Sequence, residues 1–206
     1  MSTRTIAVVS AGLSTPSSTR LLADRLTAAT VAALSARGIP VTVEVVELRE
    51  HARDLADDLV TGFANEPLQA AVDTVVGADA VIAVTPIFSG SYSGLFKTFF
   101  DVLGKDALVG TPVLMGATAG TARHSLALEH ALRPLFAYLR ATAVPTAVFA
   151  APEDWAGAGE AGRALADRVD RAAGELADLV AGRPPAAPVD PFADPTTSFE
   201  DLLRGA

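Results

Sequence analysis

Two kinds of hydrophobic pattern alternate along the chain. Short runs of consecutive apolar, mostly β-branched residues are typical of strands that are buried on both faces. Longer stretches in which apolar residues recur every three or four positions are typical of amphipathic helices. The first pattern predicts five strands, at residues 5–10, 41–46, 80–84, 112–117 and 143–150.

Glycine and proline mark most of the predicted helix ends. The helix after the first strand carries Leu22 on its apolar side and ends before Gly38. Residues 49–77 contain helical patches that Gly62 and Pro67 interrupt. The remaining helices are predicted at 94–103, at 125–140, where the internal Pro134 predicts a kink or two separate parts, and at 159–181.

The order of these elements predicts the fold. A strand followed by a helix, repeated five times, requires parallel strands joined by right-handed crossovers. Five such strands suit the flavodoxin-like order better than the longer dinucleotide-binding fold of two halves. The sequence therefore predicts an α/β fold over residues 1–182, a flavodoxin-like doubly wound five-stranded parallel sheet with helices on both faces. Residues 183–206 contain five prolines and are predicted to be a separate, proline-rich C-terminal tail.

Composition narrows the possible functions. Half of the residues are hydrophobic but only 6% are aromatic, so aliphatic side chains must form most of the core. A net charge of −8 disfavours nucleic acid as a partner, because its phosphate backbone would be repelled. The absence of cysteine excludes thiol catalysis and cysteine-held metal centres. No apolar stretch reaches the ~18 residues of a membrane helix, so we expect a cytoplasmic protein that does not enter a membrane.

Three polar or glycine-rich segments follow strands whose carboxyl ends share one edge of the predicted sheet, where ligands bind in this fold class. Residues 10–20 bring hydroxyls and free backbone N–H groups to the start of a helix, a combination that binds phosphate. Residues 85–101 form a loop and an amphipathic helix, and such a loop suits a flat ring system such as a flavin. Residues 116–121 lack bulk and permit a ligand to approach the backbone closely.

Each segment also has a purely structural interpretation. Hydroxyl residues such as those at 17–19 cap helices in many proteins without binding a ligand, and the aromatic residues of 85–101 are equally consistent with core packing. No nucleotide-hydrolysing loop and no serine in a nucleophile elbow is present, and the histidines have no metal-binding spacing, so neither a metal site nor a catalytic side chain is predicted. The alternating charges of residues 47–58 predict a solvated helix face on which His51 is exposed.

Together the three segments resemble those of one family. The run SYSGLFK at residues 91–97, which follows Thr85 and Pro86, closely resembles the Thr-Pro-x-Tyr-x-x-Ser-Tyr-Ser-Gly-x-x-Lys stretch of the NAD(P)H-dependent FMN reductases. The most similar group supplies reduced flavin to two-component monooxygenases. The run LALEHALRPL at residues 126–135 resembles the fourth-helix signature of that group, and the resemblance covers residues 5–151.

The resemblance implies FMN as cofactor, NADPH or NADH as hydride donor, and a set of flavin-binding residues. It implies that the phosphate is held by Ser10, Ser17, Ser18 and Thr19, that the isoalloxazine is bracketed by Pro86, Ile87, Phe88, Ser89 and Tyr92, and that the far side of the flavin is lined by Thr118, Ala119 and Gly120. Three positions depart from the family pattern. Leu13 replaces an arginine, for which Arg20 is a candidate substitute; Phe88 replaces a tyrosine; and His130 replaces a tyrosine that helps control flavin exchange between subunits.

The sequence therefore predicts an NAD(P)H-dependent FMN reductase that supplies reduced flavin to a partner monooxygenase. Two alternatives stay open: an FMN-bound reductase of quinones or azo compounds, and a non-enzymatic electron carrier of the flavodoxin type. The resemblance also implies a homodimer or homotetramer, and the apolar residues 126, 128, 132 and 135 predict a subunit interface. The sequence does not select between NADH and NADPH.

Overall fold

The computed structural model describes residues 3–155 and 159–183. The strands within these ranges form one sheet. Its strands are β1 (Arg4–Ser10), β2 (Val41–Glu47), β3 (Ala80–Phe88), β4 (Ser91–Tyr92), β5 (Pro112–Thr118), β6 (Thr142–Ala143) and β7 (Val148–Ala150). The order is β2-β1-β3-β5-β6, with β7 also on β5 and β4 on β3. Among these described strands, only the β3–β4 pair is antiparallel. Because β6 and β7 pair with opposite ends of β5, they act as one interrupted fifth strand. This is the flavodoxin-like order that the sequence predicted.

The helices lie on both faces of the sheet. They are α1 (Ser18–Ala36), α2 (Ala52–Thr61), α3 (Glu66–Val76), α4 (Gly94–Asp101), α5 (Arg133–Tyr138) and α6 (Glu160–Ala181). Short 3-10 turns occur at Leu48–His51, Ala122–His124 and Pro152–Trp155, and a π-helical turn, Leu128–Leu132, leads into α5. Within the described ranges, no helix combines the length and the apolar character that crossing a membrane requires.

Alternation along the central strands divides the core into two layers. Ile6, Val8 and Ile82 point to one face, where they pack against α1 and α6. Ala7 and Val9 point to the opposite face, where α2 to α5 and the π-helical turn cover the sheet. Since both faces are covered, the strands are apolar throughout, which is why their positions could be predicted from short apolar runs.

Local chemistry explains the helix boundaries, including one that the sequence analysis misplaced. The Ser17 side chain accepts a hydrogen bond from the Arg20 N–H and caps α1. Gly62 ends α2 with a left-handed φ of 74°, as a helix-terminating glycine does. Pro67, however, interrupts nothing: it lies in the first turn of α3, where its missing N–H costs no helical hydrogen bond.

Three of the four apolar residues behind the interface prediction are buried within the chain itself. Leu128, Leu132 and Leu135 are at most 9% exposed in the core under α4 and α5, and Leu126 is 63% exposed. The predicted two-part form of this segment is confirmed, since the π-helical turn precedes α5. The expectation of an exposed His51 was wrong: its side chain is 18% exposed, and its Nδ1 lies 3.8 Å from a carboxylate oxygen of Asp54.

The predicted C-terminal tail lies outside the described residues except for its first member. The Arg183 carbonyl accepts a hydrogen bond from the Arg4 guanidinium, and the Arg183 guanidinium donates to the Gly110 carbonyl. The last described residue is therefore fixed at the amino-terminal edge of the sheet, opposite the edge at which the three polar segments lie.

Candidate functional site

The three polar segments meet at the carboxyl edge of the sheet. β3 lies between β1 and β5, and the register aligns Ser10 with Val84 and Pro86 with Thr118. The Thr19 and Thr118 hydroxyls are buried and 2.8 Å apart, so a hydrogen bond joins the first segment directly to the third. The fold therefore places side by side three loops that are far apart in the sequence.

The first loop has the form of a small cradle at the start of α1. The Ser10 side chain is fully buried, and its Oγ has no hydrogen-bond partner among the described residues. A Cβ at Gly12 would lie 2.1 Å from Ser17 Oγ, so only glycine fits the observed loop. Ser18 is exposed at the first turn of α1, where unpaired N–H groups and the helix dipole favour an anion. An unpartnered hydroxyl, a crowded glycine and a helix start together fit a phosphate group.

The second segment is a hairpin followed by a helix. β3 continues four residues beyond its predicted end and turns at Ser89 and Gly90, which have φ values of 51° and 83°. Two central residues with positive φ form the two-residue turn that suits the twist of a hairpin. The Thr85 hydroxyl is fully buried, accepts the Ser93 N–H at 3.1 Å and donates to the Pro86 carbonyl at 2.9 Å. Thr85 therefore ties the base of the hairpin to the start of α4.

Strand alternation divides the hairpin residues that the sequence analysis assigned to the flavin ring. Ile87 pairs with Tyr92, and both point toward the helices: Ile87 is 7% exposed, and the Tyr92 ring centroid lies 5.9 Å from that of Phe96. Phe88, 49% exposed, and Ser89 form the open tip of the hairpin. The structure thus leaves the tip and the backbone accessible to a ring, while the Ile87 side chain belongs to the core.

The third segment follows β5 and is mostly backbone. Thr118 is buried, Ala119 is half-buried and Gly120 is exposed. The Ala119 N–H donates to the Ala150 carbonyl at 3.3 Å, which fixes the loop against β7. This arrangement leaves little side-chain bulk between the loop and the hairpin.

Two cavities are each lined by residues of one of the three segments. One, of about 480 Å³, lies between α4 and α5 and contains Tyr92, Lys97 and Tyr138; a hydrogen bond to Asp101 raises the pKa of Lys97 above its ordinary value. This cavity is the larger of the two, but none of its lining residues belongs to the first or the third segment. The second, of about 300 Å³, lies beside the first loop and the end of β2.

Charged side chains from the end of β2 line the second cavity. Arg20 is bound to Asp24 and Glu47, and these hydrogen bonds raise the pKa of its guanidinium above the ordinary value. Arg49 donates to the Ser14 carbonyl and to the Thr15 hydroxyl. The sequence analysis assigned Glu47 and Arg49 to a solvated helix face and missed this position. The available signal was that both residues end or follow a parallel strand, so they must lie at the same sheet edge as the other loops.

The described residues contain no cluster of three or more His, Cys, Asp or Glu side chains that could hold a metal ion. His124 and His130 are exposed. The chemistry of the edge is therefore that of hydroxyls, backbone N–H groups and arginines, a donor set suited to phosphates and heteroaromatic rings.

The known proteins that this chain resembles in sequence are FMN reductases. The sequence matches the profile of the NADPH-dependent FMN reductase family over residues 4–156. It is 38% identical to an FMN reductase (NADPH) of Pseudomonas aeruginosa, over 86% of this chain and 93% of that protein. It is 40% identical to the NADH-dependent FMN reductase SfnE of Pseudomonas putida, over 82% and 88% of the two chains.

Solved structures agree with this result. An oxidoreductase from Corynebacterium diphtheriae superposes with a TM-score of 0.85 at 49% identity, covering 88% of this chain and 99% of that one. The apo form of the NADH:FMN oxidoreductase EMOB superposes with a TM-score of 0.69 at 29% identity, covering 82% and 88%. The similarity therefore extends over the three loops and the sheet that carries them.

Proposed function

The chain belongs to the NADPH-dependent FMN reductase family, and on this basis we propose how the carboxyl edge of its sheet performs the reaction. The protein is an NAD(P)H-dependent FMN reductase, an oxidoreductase that uses FMN and a nicotinamide nucleotide. In our proposal the FMN phosphate binds to Ser10, Ser17, Ser18 and Thr19. The isoalloxazine lies between the hairpin of residues 86–92 and the loop of residues 118–120.

One observation carries this assignment: the first loop is built for an anion and is hydrogen-bonded to the loop that would flank the ring. The buried Ser10 hydroxyl lacks a partner within the described residues, and burial of an unpaired hydroxyl costs free energy that a bound phosphate oxygen would offset. The Thr19–Thr118 hydrogen bond sets the separation between the phosphate loop and the third loop. A ligand with a phosphate at one end and a flat ring at the other matches that layout.

FMN, when bound, supplies the group that accepts hydride from the nicotinamide. The protein residues bind and orient: the first turn of α1 holds the phosphate, and the backbone of the hairpin and third loop is available to the edge of the ring. The half-exposed Phe88 at the tip of the hairpin would cover part of a bound ring from water. Hydride transfer requires that a second ring stack on the first at ~3–3.5 Å. Positioning of this kind requires no nucleophile or general acid from the protein.

We further propose that reduced FMN leaves the site for a flavin-dependent monooxygenase. The resemblance of residues 91–97 and 126–135 to reductases of two-component systems supports this role, as does a site at an open sheet edge. A cytoplasmic location and a homodimer or homotetramer are parts of the same proposal. Sedimentation that shows only monomer at micromolar concentration would overturn the oligomer.

The decisive experiment measures NADPH and NADH oxidation by the purified, flavin-free protein with and without added FMN. We expect turnover that depends on FMN and a clear preference for one donor. FMN that binds tightly without turnover would indicate an electron carrier. FMN that stays bound while quinones or azo compounds are reduced would indicate the other alternative, and the absence of FMN binding would refute the three-loop site.

A further inference from the structure

Within residues 10–20, the segment that forms the phosphate loop, Arg20 is the only cationic residue. Leu13, in the middle of the loop, is 55% exposed and apolar. A phosphate dianion binds most strongly where a guanidinium or ammonium group adds a charge-assisted hydrogen bond to those of the backbone. The chain carries a net charge of −8, so a nearby cation is needed to offset the general repulsion of an anion.

Arg20 is close to the loop but is already neutralised. Its Nε donates to Asp24 at 2.7 Å, and its Nη1 donates to Glu47, whose side chain is only 12% exposed. Two carboxylates on one guanidinium leave no net positive charge to offer a third anion. The sequence-based suggestion that Arg20 replaces the missing arginine therefore has no support in these contacts.

Arg49 lines the cavity beside the first loop that Arg20 also lines, and only part of its guanidinium is hydrogen-bonded. It extends from the turn after β2, and its Nη1 contacts the Ser14 carbonyl and the Thr15 hydroxyl of the loop. Its Nε is 3.9 Å from Glu47, the outer limit of an ion pair. Within the part of the chain that the structure describes, Nη2 makes no hydrogen bond, and the side chain is 32% exposed.

The order of the strands places Arg49 correctly for a phosphate. Along the carboxyl edge, the end of β2 is next to the end of β1, and the ends of β3 and β5 follow on the other side. If the ring of the ligand lies near the ends of β3 and β5, its phosphate lies near the end of β1. The phosphate is then on the side of the ligand that faces the end of β2. The cavity of about 300 Å³ that joins Ser17, at the start of α1, to Arg49 lies in this direction.

The geometry points to Arg49 as the residue that supplies the cation for the FMN phosphate. Arg49 thereby makes the site selective for a flavin that carries a phosphate over riboflavin. This inference rests on the proposed function, because it assumes that the flavin binds at this edge.

The test is calorimetric titration of FMN and of riboflavin into the full-length, flavin-free protein. Arg49→Gln is expected to weaken FMN binding by roughly ten- to a hundredfold, the range for one hydrogen bond to a charged group. Riboflavin binding is expected to change less than about twofold, since riboflavin has no phosphate to lose a contact. The matched control is Arg53→Gln, which removes the same charge from an exposed position in α2 and should leave both affinities unchanged.

A second variant separates a direct contact from an effect through the loop. Thr15→Val removes the hydroxyl that Arg49 contacts but keeps the guanidinium, so it should leave FMN affinity nearly unchanged if Arg49 acts on the phosphate. The dependence of the FMN dissociation constant on salt should be weaker in Arg49→Gln, because one screened charge contact has been removed. If Arg49→Gln does not fold, Arg49→Lys should retain most of the preference for FMN over riboflavin.

The inference is overturned if Arg49→Gln leaves FMN affinity unchanged, if it weakens FMN and riboflavin equally, or if Thr15→Val reproduces its effect. None of these results would refute FMN reduction itself. Failure of the proposed function would appear instead as wild-type protein that binds neither flavin.

Discussion

The two faces of the sheet are built in different ways. On one face α1 and α6 are continuous helices of 19 and 22 residues. On the other face α2 to α5 contain between 6 and 11 residues each and are separated by turns, a hairpin and a π-helical segment. The ligand loops are joined mainly to this interrupted face, because the hairpin leads into α4 and the third loop leads toward the π-helical turn. The comparison indicates that the two faces cover the sheet in different ways, with long helices on one face and with short helices and turns on the other.

Aromatic packing takes the place of helix length on the interrupted face. The Phe96 ring lies 4.7 Å from that of Phe100 and 6.3 Å from that of Phe136, and Phe100 and Phe136 are 5.1 Å apart between centroids. These contacts join α4 to α5, two helices too short to be stable alone. The continuous face uses leucine, valine and alanine against α1 and α6.

The largest expected effect is therefore the removal of a ring from this cluster. Phe96→Ala should lower the free energy of unfolding by about 3–5 kcal/mol, because the neighbouring rings cannot fill the cavity that it leaves. Leu26→Ala, at an equally buried position of α1, should cost less than Phe96→Ala within the range of about 2–5 kcal/mol, since a smaller side chain is lost. Urea denaturation measures both, with Phe96→Leu as the control that retains most of the volume. A greater loss from Leu26→Ala would contradict the proposed difference between the faces.

A smaller loss is expected at the base of the hairpin. Thr85→Val keeps the shape of the side chain but leaves the Ser93 N–H and the Pro86 carbonyl without their partner in a buried place. Unfolding free energy should fall by about 1–3 kcal/mol, and both FMN and riboflavin should bind more weakly because the hairpin is no longer fixed to α4. Thr85→Ser, which keeps the hydroxyl, should behave nearly as wild type. Unchanged flavin binding in Thr85→Val would show that the hairpin does not position the ring.

On the continuous face, the sensitive point is the start of α1. Gly12→Ala places a Cβ 2.1 Å from Ser17 Oγ, so the side chain that caps α1 must move. We expect a loss of about 1 kcal/mol in stability, as for other lost helix caps, together with weaker FMN binding. Gly104→Ala is a suitable control, because nothing lies within 4 Å of its new Cβ. Thermal unfolding and FMN titration of the two variants, compared side by side, separate the loss of the cap from a general effect of alanine.

The continuous face could be predicted from the sequence more accurately than the interrupted one. Regular periodicity identified α6 almost to the residue, and full burial on both faces gave apolar runs for the central strands. The end of β3 was missed because Pro86 and the following serines are typical of loops. The strand continues there because β4 folds back onto it, and the turn requires a positive φ at Ser89 that the residue type does not indicate.

For the candidate site, sequence reasoning identified the loops but not all the side chains that serve them. The three loops follow from strand order alone, and the structure brings them together. Arg49 was missed because alternating charges look the same whether a helix face is solvated or packed against a loop. The commitment of Arg20 to two carboxylates likewise depends on Glu47, which is 27 residues away in sequence. Such pairings arise from tertiary structure and have no local pattern.

The smallest expected effect concerns the ion pair between Arg133 and Glu129, at the junction of the π-helical turn and α5. Arg133 donates to both carboxylate oxygens of Glu129 and to the carbonyls of Val144 and Pro145, so it joins the π-helical turn to the break in the fifth strand. The hydrogen bonds from Arg133 lower the pKa of Glu129 below its ordinary value of 4.5. A carboxyl group whose pKa is lower in the folded state stabilises the fold above the unfolded-state value, and this contribution is lost as the pH falls through the folded-state value.

Glu129→Gln should therefore lower stability at pH 7 by less than about 1 kcal/mol, because the carboxylate is half-exposed. The difference from wild type should shrink as the pH falls below about 4.5, because the unfolded wild type then binds a proton at Glu129 that the folded protein binds only at a lower pH. Thermal unfolding of both proteins between pH 3.5 and pH 7, in steps of about half a unit, measures this difference and cancels the acid effects that they share. A difference that stays constant across this range would mean that the ion pair contributes nothing, and that the neutral hydrogen bonds of Arg133 hold the turn.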